Sequence, residues 1–76
     1  MVLEKVKAIL SEQFGVEEDT ITPETSIIDD LGADSLDVVD LLMTIDDEFG
    51  VEVPDSDVES VRTVDKLVAY IEARQQ

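Results

Sequence analysis

Apolar residues return at helical intervals in three separate stretches of the chain. Leu3, Val6, Leu10 and Phe14 recur three or four positions apart, and Val2 and Ile9 widen the stripe. Gly15 follows as a stop signal. These positions predict a first helix over about Val2 to Phe14. From Val16 to Asp34 the period is lost. The segment "TITPETS" holds three threonines, a serine and a proline, which is turn chemistry. Ile21, Ile27, Ile28 and Leu31 punctuate this loop and are expected to pin it to the core. A loop this long in a short chain is usually functional.

The helical pattern resumes at Ser35 and runs to Phe49, where Gly50 closes it. Asp34 is a good N-cap, and Asp37 stands at the third helical position. A short segment, "VPDSDVES", follows. In it Ser56 and Glu59 resemble a capping box, so one brief helical turn is expected. Thr63 is expected to cap a last helix reaching about Ala73, in which Val64, Leu67, Val68 and Ile71 fit i, i+3, i+4, i+7. No strand run or internal repeat competes. The expected fold is all-α: a small four-helix bundle of three longer helices plus one short helix. A long loop separates the first and second helices, and one domain covers residues 1–76.

The second helix carries two kinds of surface. At about 100° per residue, Asp40, Thr44, Asp47 and Glu48 cluster around Asp37 as an acidic stripe. Val38, Leu42, Ile45 and Phe49 fall on the other side and are expected in the core. Leu36 and Met43 lie between, and the core does not clearly claim them. One reading is a solvated face with two stray apolar residues. The other is a docking surface, on which acids steer a basic partner and Leu36 and Met43 supply contact area.

Charge narrows the choice of partner. Twenty acids against five bases give a net charge of −15. That field repels nucleic acid and anionic membranes, and it attracts proteins with basic patches. It also strains the folded state, so salt or divalent cations are expected to stabilise it. The only aromatics are Phe14, Phe49 and Tyr70, so the core must be aliphatic.

The absence of cysteine and histidine removes disulfides, Ser-His-Asp triads and the usual zinc ligands. No specific metal site is expected. "PDSDVES" lacks the glycine and the final glutamate of an EF-hand. Three scattered glycines make no phosphate loop, so an enzyme is not expected. The opening "MVLEKVKAIL" is charged too early for a signal peptide, and no stretch reaches membrane-spanning length. A cytoplasmic, monomeric protein without stable membrane insertion is the expectation.

Ser35 remains to be explained. A serine near a helix start is often only a cap. Here Asp34 already fills that role and leaves Ser35 at the first helical position. A phosphodiester on its hydroxyl would sit at the positive end of the helix dipole. Gly32 and Ala33 leave the approach open. The position suits a serine that receives a group better than one that attacks.

The stretch "DDLGADSLDVVDLLMTIDDEFGVEVPDSDVESVRTVDKLVAYI" resembles the acyl carrier proteins over more than half the chain. Its "LGADSLD" core is the most specific part. The resemblance implies a 4'-phosphopantetheine arm on Ser35, whose thiol carries acyl groups as thioesters in fatty acid biosynthesis. Polyketide, peptidyl and D-alanyl carriers, or an unmodified acidic interaction module, are the alternatives. The implied partners are a phosphopantetheinyl transferase and fatty acid synthesis enzymes with basic docking patches. The implied contacts are Asp34, Leu36, Asp37, Val39, Asp40, Met43, Asp46 and Asp47, with Asp55 and Glu59 secondary. Val39 and Asp46 rest on the resemblance alone. Acyl chains are expected to fold back among some of Val6, Ile28, Leu42, Ile45, Val61, Leu67 and Val68. Three departures from the family pattern leave chain-length preference open. Val58 stands where alanine is frequent, Val38 replaces a small hydroxyl residue, and Arg62 adds a positive charge.

Overall fold

A computed structural model describes residues 1–75. Helix α1 spans Val2–Phe14, α2 spans Ser35–Phe49 and α3 spans Val64–Arg74. A 3-10 helix, Asp55–Val61, connects α2 to α3, and a single 3-10 turn, Glu18–Thr20, lies in the long loop. The bounds of α1 and α2 agree with those predicted, and α3 runs one residue past Ala73. Both α1 and α2 stop on a left-handed glycine, with φ of 67° at Gly15 and 66° at Gly50. Each glycine amide donates back to its helix, Gly15 to Ser11 and Gly50 to Asp46. A side chain at either position would be strained.

Seven aliphatic side chains form the fully buried centre. Val6 and Leu10 come from α1, Leu41 and Ile45 from α2, and Val64, Leu67 and Ile71 from α3. Burying a side chain of this kind contributes about 1.5–3 kcal/mol. Phe14, Phe49 and Tyr70 pack only at its edge, half-buried.

The long loop is docked by backbone as well as by side chains. Ile21 and Ile27 are buried, and Ile28 and Leu31 are half-buried. The Ile27 amide donates to Arg62 O (2.9 Å), Val64 to Thr25 O (3.1 Å) and Asp65 to Pro23 O (2.9 Å). Ser26 and Thr63 thereby form an isolated antiparallel bridge. Thr25 is the one buried polar side chain among the described residues, and its hydroxyl accepts from the Thr22 amide (2.8 Å).

Three expectations are corrected. Thr63 occupies the N-cap position of α3, but its side chain caps nothing there. The first amides of α3 already donate to loop carbonyls, and the Thr63 hydroxyl donates to Asp65 instead. Ser56 and Glu59 form no capping box. Pro54 takes the N-cap position and places Ser56 inside the 3-10 helix, while Glu59 pairs with Arg62 at 3.1 Å.

The third correction concerns the faces of α2. Leu41 is buried, although it falls within the sector drawn around Asp37. Asp37 itself is half-buried, and Val38, Leu42 and Phe49 are only half-buried. The acid at the third helical position folds back on its own helix start, so it does not mark the solvent side. The true outer face is centred on Leu36, Val39 and Met43.

Candidate functional site

The start of α2 is a complete capping box. Asp34 holds an extended backbone, φ −96° and ψ −173°, and its Oδ1 accepts from the Asp37 amide at 2.9 Å. In return Asp37 Oδ2 accepts from the Asp34 amide at 3.2 Å. The two aspartates flank Ser35 and fix the backbone on both sides of it. Upstream, Ala33 is buried, and its amide donates to Ile27 O at 3.2 Å. A second tie, from the Gln13 side chain to Asp37 O (3.2 Å), holds α2 to α1. Ser35 is therefore an exposed hydroxyl on a rigid base.

Beside Ser35 lies a groove of about 470 Å³, walled by Ile28, Val38, Leu42 and Val58, with Asp55 at its mouth. It leads to a crevice of about 10 Å³ between Ile27, Leu41 and Val61, bounded again by Val38, Leu42 and Val58. That is the space of roughly one water. At that size the crevice is closed to anything larger.

Of the seven residues expected around an acyl chain, Ile28, Leu42 and Val61 border this groove or crevice. Val6, Ile45 and Leu67 are fully buried in the bundle centre and border neither, and half-buried Val68 lies outside both. Helical period selects buried side chains without telling which of them edge a space. Val38, expected in the core, and Val58, read as a departure from the family pattern, border both spaces. Ile27 and Leu41 were missed.

The outer face of α2 exposes large apolar side chains: Leu36 is 75% accessible, Met43 62% and Val39 53%. Asp34, Asp40, Asp46 and Asp47 are exposed around them, whereas Asp37 is half-buried. A depression of about 190 Å³ separates Val39 and Met43 from Val53, rimmed by Asp46, Glu52 and Asp55. Glu52 was not anticipated. Glu59 is exposed but turned to Arg62. Centring the wheel on Leu41 and Ile45 would have placed Val39 and Asp46 on this face from the pattern alone.

Across the 3-10 helix, Asp57 is held from α3. Tyr70 Oη donates to its Oδ2 at 2.7 Å, Arg74 lies 3.5 Å from the same oxygen, and the Arg74 guanidinium stacks 4.0 Å from the Tyr70 ring centre. The bond to Asp57 holds the Tyr70 hydroxyl above the usual phenol range. Among the described residues no cluster of acids is arranged to hold a metal, and no helix is long and apolar enough to cross a membrane.

A family model described as the phosphopantetheine attachment site matches residues 4–71. The acyl carrier protein of Thermotoga maritima is 53% identical over 73 residues, 96% of this chain and 90% of that protein. The chain belongs to the acyl carrier protein family. The solved acyl carrier protein from Enterococcus faecalis, 43% identical, matches it with a TM-score of 0.83 over 95% of this chain and 91% of that one. Members are carriers rather than enzymes, and the family model is that of a covalently attached phosphopantetheine. The residues present fit that group. An exposed hydroxyl stands on a fixed helix start, and an apolar groove opens beside it.

Proposed function

We propose that Ser35 is the attachment point, and that the protein carries acyl intermediates on its 4'-phosphopantetheine arm among the cytoplasmic enzymes of fatty acid biosynthesis. The observation that carries this reading is the placement of Ser35, its hydroxyl exposed and its backbone fixed by the capping box, on the lining of the groove. The bound arm supplies the thiol that holds acyl groups as thioesters, and the chain itself has no cysteine.

The protein's own part is positioning and shelter. Asp34 and Asp37 fix the backbone on either side of Ser35, so the attachment residue is held on a fixed helix start while its hydroxyl stays exposed. The α2 N-terminus favours an anionic phosphodiester there by about 0.3–1 kcal/mol. Val38, Leu42 and Val58 must part to admit a chain into the crevice. Burying six methylenes there gains roughly 5 kcal/mol, before the separation of those side chains is subtracted. A partner must offset the net gain to draw the chain out.

Docking falls to the outer face of α2. Asp46, Asp47 and Glu48 occupy its last turn, where no basic residue sits. Carboxylates at the negative end of a helix are disfavoured by about 0.3–1 kcal/mol each. Their presence hinders the fold and helps a basic partner find Leu36, Val39 and Met43. Asp55 stands between this face and the groove, where a partner could sense both. The fatty acid pathway is supported by the Thermotoga maritima relative, by Ala33 before the "DSL" tripeptide and by the density of acids.

The test is intact mass after incubation with a phosphopantetheinyl transferase and coenzyme A. The protein should gain one phosphopantetheine, and peptide mapping should place it on Ser35. Ser35→Ala should melt as a folded protein and gain nothing. An unchanged mass in the parent, or an arm mapped elsewhere, refutes the reading and leaves an unmodified acidic interaction module. Loading the modified protein with fatty, aminoacyl and polyketide-type acyl groups then separates the pathways.

A further inference from the structure

The crevice has two walls of unequal make. The α2 wall is a fifteen-residue helix rooted in the core by Leu41 and Ile45. The facing wall is the seven-residue 3-10 helix Asp55–Val61, of which only Val61 is buried. A 3-10 helix has poorer hydrogen-bond geometry than an α-helix, and this one has no side-chain cap. It packs on α3, and its side-chain ties to that helix run through Asp57. Val58 stands on it as the crevice wall, and its neighbour Asp57 faces α3.

We infer that Asp57, Tyr70 and Arg74 form a latch that keeps Val58 against Val38 and Leu42, and so sets how much acyl chain the crevice admits. This inference rests on the carrier reading above. The latch closes on one oxygen, Asp57 Oδ2, which accepts from Tyr70 at 2.7 Å and faces Arg74 at 3.5 Å. Arg74 in turn covers the Tyr70 ring. All three lie on the outside of the bundle, and Asp57 and Tyr70 are half-buried. The latch therefore opens without disturbing Leu67 or Ile71, which anchor α3 from its buried face. Because Asp57 and Val58 are adjacent, moving Val58 away from Val38 and Leu42 while α3 stays in place shifts Asp57 against Tyr70 and Arg74. Chain entry is thereby coupled to latch release. The three residues act through Val58 and are positioning residues.

The test compares the parent with Tyr70→Phe and Arg74→Gln, and uses Ser11→Ala as a control that loses a hydrogen bond to Val16 O elsewhere. Tyr70→Phe keeps the ring and removes only the donor. Amide exchange in the unmodified proteins should speed up about five- to ten-fold at Asp57–Val61 in Tyr70→Phe, the effect of one lost hydrogen bond on a local opening. Leu67 and Ile71 should change less. In the modified proteins, the gain in Tm of the eight-carbon acyl form over the acetyl form should be larger in Tyr70→Phe than in the parent. Arg74→Gln should move both readouts the same way by a smaller factor, and Ser11→Ala should move neither selectively. Equal acceleration at Asp57–Val61 and Ile71, or an acyl-dependent gain identical in parent and variants, overturns the latch. Mass measured before acylation reports separately on whether Ser35 carries the arm.

Discussion

The start of α2 is finished by its own sequence, whereas the start of α3 is finished by a loop on the far side of α2 in the chain. At α2, Asp34 and Asp37 exchange amide-to-carboxylate bonds across Ser35. At α3, Thr63 sits in the same N-cap position with a competent hydroxyl and does not use it. Its helix's first amides go to Thr25 O and Pro23 O instead. The difference separates two needs. On the carrier reading proposed above, the helix start that presents Ser35 has to keep its geometry whatever the rest of the bundle does to admit a chain. The start of α3 has no such duty, and it serves as the dock that holds the long loop, with Ile27 and Ile28, over the crevice.

The largest break in this comparison is expected from the loop. Ile27→Ala removes a buried side chain and should cost about 2–5 kcal/mol in denaturant melts. In so small a domain that endangers the fold, so Ile27→Val, expected to cost about 0.5–1.5 kcal/mol, carries the local readout. Amide exchange at Val64 and Asp65 should quicken in Ile27→Val, while Asp37 keeps the parent's protection. Equal loosening at Asp37 would mean that α2 leans on the loop as much as α3 does. Asp34→Ala should have the next largest effect, about 0.5–2 kcal/mol, through loss of an N-cap. Its faster exchange should be confined to Asp37 and its neighbours, with Val64 and Asp65 unmoved. No loss of stability, or a loss felt at α3, would remove the distinction between the two starts.

How much was legible in the sequence follows the same division. Wherever the answer lay within a few residues, the pattern supplied it: the limits of α1 and α2, both glycine stops, and Asp34 as the N-cap beside Ser35. Where the answer came from across the chain, it did not. Thr63 reads as a cap because nothing near it shows that Thr25 and Pro23 carbonyls will arrive first. Ser56 and Glu59 read as a box because Pro54 as the N-cap is a matter of chain direction, not of spacing. The outer face of α2 was misdrawn for a physical reason too. Charge was taken to mean solvent, yet Asp37 spends its carboxylate on the Asp34 amide and lets Leu41 pass into the core beneath it. Periodicity reports burial, whereas a crevice is defined by where burial stops. Ile28, Leu42 and Val61 edge it, whereas Val6, Ile45 and Leu67 are buried and line neither it nor the groove.

The smallest predicted effect is the most discriminating. If Thr63 were a working cap, Thr63→Ala would lose about as much stability as Asp34→Ala. No amide of α3 donates to its hydroxyl, so the loss should be well below that of Asp34→Ala. What the variant does lose is the bond from Thr63 to Asp65, which is the main cause holding the Asp65 carboxyl below its ordinary value of 3.8. A carboxyl with a lower pKa in the folded protein stabilises the fold at pH above its unfolded value, and that contribution disappears as pH falls through the folded value. The gap between parent and Thr63→Ala should therefore be present at neutral pH and close in acid, starting near pH 3.8 and vanishing below the folded pKa of Asp65. Denaturant melts of the pair across a pH series measure it. A gap as large as that of Asp34→Ala and independent of pH would restore Thr63 as a cap, and with it the symmetry between the two helix starts.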